Sequence, residues 1–227
     1  MRPPTAKLVA ALLAILLTLT SDAVAASGEL TPLAGSSWQA DQEFAFEWDP
    51  IAPANPTQAV FRILNSQGEQ ALLIRRPVAL MLKDIEVPAS PDAYALEAWL
   101  ENGSGEAGPH STATLRFDDT APPPPGLDSP PDWIPAARSA EVGVATPSGT
   151  LPMSGIGGFA ISVDPGSGSS PCAQPDRCLA GEVDLAGGAG GAVPLGTLPE
   201  GVHFVRAVAV SGAGVPSQVA TTAIRVD

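Results

Sequence analysis

"DAYALEAWLENGSGEAGPHSTATLRFD", Asp92 to Asp118, lies without a gap over "GVHFVRAVAVSGAGVPSQVATTAIRVD", Gly201 to Asp227, when the second is moved back by 109 positions. Ala98 then meets Ala207, Gly103 meets Gly212, Gly105 meets Gly214, Thr112 meets Thr221, Arg116 meets Arg225 and Asp118 meets Asp227. Within the first stretch Tyr94, Leu96, Ala98 and Leu100 fall on one face of an alternating run. A period of two with one apolar face marks a half-buried antiparallel strand. Any two hairpins of an Ala- and Gly-rich chain look somewhat alike, but not in matched turn glycines and a matched L/I-R-F/V-D ending. The chain holds two copies of one module.

The same alternation recurs outside the hairpins. "EFAFEW" puts Phe44, Phe46 and Trp48 on one face, "AEVGV" does so with Val142 and Val144, and "FAISV" with Phe159, Ile161 and Val163. Helical periodicity is missing after the first residues. Gly and Pro make 48 of 227 residues, yet 44% of the chain is apolar, too much for a disordered protein. Many short strands with many turns reconcile the two numbers, and the expected fold class is all-β.

The beginning of the chain sets the expected compartment. Arg2 and Lys7 precede an apolar run from Leu8 to Thr20, and Ala23-Val24-Ala25 has the small-x-small form of a cleavage site. The run falls short of the roughly 20 residues that span a bilayer, so 1–25 reads as a signal peptide, with no stable membrane insertion after cleavage. Residues 26–119 and 133–227 are then two antiparallel β-sandwiches. Residues 120–132, with Pro122 to Pro125 in a row, are a semi-rigid linker between them. Gly166 to Pro171 is a second, flexible stretch inside the second copy.

Beyond residue 25 there remain nine basic against 23 acidic residues, a net charge of −14. Such a chain is repelled by nucleic acid and by anionic lipid. Lysine occurs twice against nine arginines, a compositional hint of a GC-rich bacterial genome.

Few residues point to chemistry. Cys172 and Cys178 enclose "AQPDR", and in an exported chain with two cysteines they are expected to form a local disulfide, contributing about 2 kcal/mol. His203 has no serine or cysteine nucleophile in a recognisable setting, and G-x-S-x-G does not occur. His110, in a Gly/Pro loop, is expected to be solvated. The glycine clusters at 154–158 and 187–191 lack phosphate-binding spacing and read as turns. Asp118 and Asp119 are adjacent carboxylates at the module end, whereas calcium takes about six to eight oxygens. No catalytic, cofactor-binding or metal residues are therefore expected, and no cofactor.

Trp99 alternates away from Tyr94, Leu96 and Ala98, onto the outer face with Glu97 and Glu101. There it can stack on a sugar ring or a partner's side chain, or be covered by a loop. Trp48, ending the alternation of Phe44 and Phe46, is expected in the first core.

The repeated unit resembles the fibronectin type III and related immunoglobulin-like sandwiches. The residues that carry the resemblance are "FEWDP", with Trp48 and Pro50, and "IEVPASPDAYALEAWL", with Val87-Pro88 before Tyr94. In the second copy Leu198-Pro199 stands before His203, with no Trp in the early strand. The resemblance implies a corner in which the Tyr hydroxyl bonds back to the chain. It also implies a secreted, non-catalytic spacer, adhesion or protein-interaction module at the bacterial cell surface. Its partner would be a cell-surface protein or polysaccharide, and the alternative is an accessory carbohydrate-binding protein.

Overall fold

A computed structural model describes residues 28–164 and 170–227, so the expected signal peptide and most of Gly166–Pro171 lie outside the described residues. The first copy contributes β1 (Glu29–Pro32), β2 (Trp38–Gln39), β3 (Glu43–Asp49), β4 (Pro56–Leu64), β5 (Gln70–Pro77), β6 (Asp84–Glu86), β7 (Asp92–Asn102) and β8 (Ser111–Phe117). They form a three-stranded sheet, β1-β3-β6, and a five-stranded sheet, β2-β8-β7-β4-β5. The second copy contributes β9 (Gly126–Asp128), β10 (Ser139–Ala145), β11 (Ile156–Val163), β12 (Leu185–Ala186), β13 (Gly191–Thr197), β14 (Gly201–Ser211) and β15 (Ala220–Val226). Its sheets are β13-β10-β9 and β12-β11-β14-β15. Apart from the added edge strand β2, the two copies share one strand order, the three-on-four antiparallel sandwich that the resemblance implies.

Alternation places the cores. Phe44 and Phe46 from β3 meet Phe61 and Ile63 from β4, Leu96 from β7 and Phe117 from β8. Trp48 packs its edge on Phe61 with centroids 5.3 Å apart and donates its indole N–H to Ser111 Oγ at 3.0 Å, while remaining half-buried. In the second sandwich Val142, Val144, Phe159, Val205 and Ile224 do the same work with smaller side chains. Each copy has its own core because two facing sheets leave nothing for a third layer to bury against.

The 109-residue offset holds strand by strand: β7 and β14 are 11 residues each, and β8 and β15 are seven. Both turns close with a glycine in the left-handed region, Gly105 at φ +82° and Gly214 at φ +86°. Asn102 Oδ1 accepts from the amides of Ser104 and Glu106, and Ser211 Oγ from those of Ala213 and Val215. Among the described residues all strand pairings are antiparallel except at one edge of each large sheet. There Trp38 and Gln39 run parallel to Arg116 and Phe117, and Ile134 bridges Val226 in the same sense.

Two expectations need correction. The stretch 120–132 is not all spacer: Gly126–Asp128 pairs with Gly143–Ala145 as the first strand of the second sandwich, and Pro122 and Pro125 are buried. Proline forbids a ladder only where it stands, and Leu127 supplies an apolar side chain to the core. Gly157 and Gly158 are strand, not turn. A side chain at Gly158 would overlap Val183 and the Leu185 carbonyl oxygen, so the cluster permits a close approach.

The corner is built twice with different chemistry. Tyr94 donates its hydroxyl to the Ser90 carbonyl at 2.6 Å, and His203 donates from Nε2 to the Pro199 carbonyl at 2.7 Å, four residues back in each case. The second imidazole nitrogen meets the Asp164 carboxylate. Both partners are acceptors, so the imidazolium satisfies both. Asp164 first, and then the Pro199 carbonyl, raise the His203 pKa above its ordinary 6.5. In turn the His203 contact holds Asp164 below 3.8.

The stability this pair adds is complete below the unfolded histidine value and is lost as pH rises through the raised folded one. On the acid side it is lost as pH falls through the lowered folded value of Asp164. Thermal melts from mildly acidic to alkaline pH should show the second sandwich weakening as pH climbs above 6.5, and His203→Tyr should flatten that slope. Equal slopes in the two proteins would refute the role given to the corner.

Candidate functional site

The outer face of the first large sheet is the place the sequence marked with Trp99. On β4, Val60 stands directly opposite Trp99, and Arg62 opposite Glu97. Arg62 donates from Nε to Glu97 Oε2 at 2.7 Å, and its guanidinium carbon lies 5.5 Å from the Trp99 ring centroid. The indole N–H donates to Glu101 Oε1 at 2.9 Å, and Glu101 also faces Arg75 at 3.7 Å.

Trp99 does point away from the core, but it is 7% exposed. His110 lies flat on it, with ring centroids 4.2 Å apart and planes 1° from parallel. The histidine expected to be solvated is thus the cover, exposed on its own outer side. Alternation gives the face a residue points to and is silent on what lies over it. Trp99 with His110, Arg62 and Val60 forms a small second core outside the sheet, and the ring is not presented to a ligand.

The second module covers the same place by another route. Val208 occupies the Trp99 position, opposite Ala160, and both are fully buried. The Cys172–Cys178 disulfide, Cα atoms 5.0 Å apart, packs on them together with Val210 and Val183. Cys178 N–H donates to the Gly214 carbonyl at 2.8 Å. Glu182 accepts from the amides of Ala173 and Leu179. Cys172, Cys178 and Glu182 are the one set of metal-ligand types drawn together among the described residues. The bridge engages both sulfurs and the amides engage the carboxylate, so the set serves as a staple.

Asp118, flagged at the module end, has a structural task. It is fully buried, and its Oδ2 accepts from the Ser154 amide of the second sandwich at 2.6 Å while Oδ1 accepts from Thr120 at 3.1 Å. Burial alone would raise its pKa, but the Ser154 and Thr120 contacts outweigh that and hold it below 3.8. Both oxygens are engaged by N–H donors, whereas Asp119 is exposed. A second cross-contact joins Arg177, in the disulfide loop, to Asp41 of the first sandwich at 3.3 Å.

One surface was missed in the sequence. Trp133 is 53% exposed and Phe204 51%. Ile134 bridges Val226 and points into the core, which turns Trp133 outward beside Arg225; Val202 and Phe204 alternate outward on β14. Trp133 holds the place that Trp38 holds beside Arg116 in the first copy. The signal was available as Trp38 and Trp133, each placed ahead of its module's first core alternation. It lay hidden because their spacing differs from the 109 of the hairpins.

No family model matches this chain, and no curated protein does. Among solved structures it is similar to fibronectin(III)-like modules of Clostridium thermocellum CbhA, at 14% identity over 87% of this chain and 94% of that one, TM-score 0.46. A two-domain fibronectin type III segment of chicken tenascin matches at 15% identity over 88% and 99%, TM-score 0.37. The FN1–FN3 domains of chicken CNTN1 match at 16% identity over 88% and 69%, TM-score 0.45. The strand order of the two sandwiches is given by this chain's own pairings.

Because Trp99 is enclosed, Trp99→Ala should destabilise the first sandwich by about 3–5 kcal/mol, the range for emptying an aromatic site. That is at least as much as Trp48→Ala, which empties a half-buried position. Denaturant melts in which Trp99→Ala costs less than half of Trp48→Ala would show the His110 cover to be loose.

Proposed function

We propose that the chain is a secreted, non-catalytic spacer and protein-interaction module of the bacterial cell surface, holding two sandwiches in fixed relation. The observation that carries this is the junction. A buried carboxylate of one sandwich takes an amide of the other, and buried prolines lie between them. A hinge built for free pivoting has no use for a desolvated charge committed across it. The disulfide accords with an oxidising compartment. The histidines accord with a non-catalytic role, since His203 is occupied by Asp164 and Pro199 and His110 by Trp99.

Small-angle scattering of the mature chain should fit a single arrangement of the two sandwiches. Asp118→Ala removes charge-assisted bonds of the kind that contribute about 1.5–3 kcal/mol, and should broaden the distance distribution while leaving both sandwiches folded. A wild-type curve that requires freely pivoting domains would rule out the fixed spacer.

A second reading has one observation in its favour. Trp133 and Phe204 are exposed on one sheet face beside Arg225, an arrangement suited to stacking on a polysaccharide. Retention of the mature chain on insoluble cell-wall polysaccharide should then fall when Trp133→Ala and Phe204→Ala are combined, with no change in melting temperature. Unchanged retention, or none at the outset, removes the carbohydrate reading.

A further inference from the structure

A sheet edge is a row of unpaired N–H and C=O groups that another strand can join. Most edges of this protein are blunted. β12 has two residues, β9 three, and β1 four with Pro32 at its end. β13 is longer but carries Pro194 and a left-handed Gly196 at φ +75°, and the seven-residue β15 is covered by Ile134 and Ser129. β5 is different. It has eight residues, has neither Pro nor Gly before Pro77, and is hydrogen-bonded through its backbone to β4 alone among the described residues.

Beside this edge, between β5 and β6, runs an open groove of about 1020 Å³. Leu72, Ile74 and Ile85 form its apolar floor, and Glu43, Asp84 and Glu86 its rim. Glu43 and Glu86 stand directly opposite each other on neighbouring strands, a like-charge pair that disfavours the sheet unless a cation comes between them. None of these three carboxylates has an ion-pair partner among the described residues. Asp41, on the same rim, already holds a cation, Arg177 of the other sandwich. Arg76 is the single cation lining the groove among the described residues.

We infer that the free edge of β5 is a docking site for an extended segment of a partner protein with Lys or Arg at alternate positions. Main-chain bonds to β5 extend the sheet by one strand. Alternate side chains turn inward, lay their aliphatic stems over Leu72 and Ile74, and bring their charged heads to Glu43, Asp84 and Glu86. The remaining side chains lie on the outer face beside Leu73. A second copy of this chain is disfavoured by its own net charge, and an acidic segment by the rim. The docking site does not depend on the junction being rigid, nor on Trp133.

Amide shifts of the isotope-labelled mature chain test this at low ionic strength, with a peptide of alternating Lys and Val as long as β5 and a Glu–Val peptide as control. The Lys–Val peptide is expected to move amides of Gln70–Pro77 and Asp84–Glu86, and the Glu–Val peptide to move none of them. Combining Glu43→Gln, Asp84→Asn and Glu86→Gln should weaken binding by about tenfold or more. The site is disproved by unmoved β5 amides, by equal response to the two peptides, or by shifts spread over the whole acidic surface. Shifts at β5 that grow with protein concentration without peptide would assign the edge to a second copy and equally overturn the proposal.

Discussion

The central strand of each large sheet buries an apolar side chain on its outer face as well as on its inner one, and that decides what the rest of the chain must do. Inward-facing Leu96, Ala98 and Leu100 of β7 are answered by the opposite sheet, as are Val205, Ala207 and Ala209 of β14. Outward-facing Trp99 and Val208 have no opposite sheet, so something local has to lie over them. The first module uses the end of its own hairpin loop, setting His110 flat on the indole. The second has a small Val208 and needs more material, which the disulfide loop supplies.

From that difference follows the shape of the edges. In the second module the disulfide segment around Cys172–Cys178 and Val183 lies back across the sheet, and two residues pair as the edge strand β12. The first module needs no such cover and continues directly from β4 through a short turn into β5, which pairs with β4 from Gln70 to Pro77 around one bulge at Ala71. Two copies of one plan have thus acquired unlike flanks. The stapled flank also reaches the other sandwich through Arg177, so the cover of one module contributes to the junction of both.

Much of this was legible in the sequence, and the residues show why the rest was not. The hairpin offset, the inward positions from Phe44 to Val163 and the disulfide pairing follow from periodicity and from cysteine number, which are local signals. The burial of Trp99 depends on His110, eleven positions away in sequence and beside it only after the hairpin closes. Leu127 was lost among prolines because a three-residue strand has no period to detect. Asp118 read only as one of two adjacent carboxylates at the module end, and only the fold brings the Ser154 amide to it. Trp133 was passed over because the module boundary was drawn at the residue itself.

The two parallel pairings at the sheet edges also carry a mechanical consequence. In the first sandwich Trp38 and Gln39 lie alongside Arg116 and Phe117, and in the second Ile134 lies alongside Val226. In each case a segment near the start of the module is bonded in the same direction to its last strand. When such a module is pulled from its two ends, the segments are drawn past one another along their length. Their bonds then break together in shear instead of opening singly like a zip. Resistance to stretching at that edge therefore rests on a few bonds, those from Gln39 to Asp118 and from Ile134 to Arg225 and Asp227.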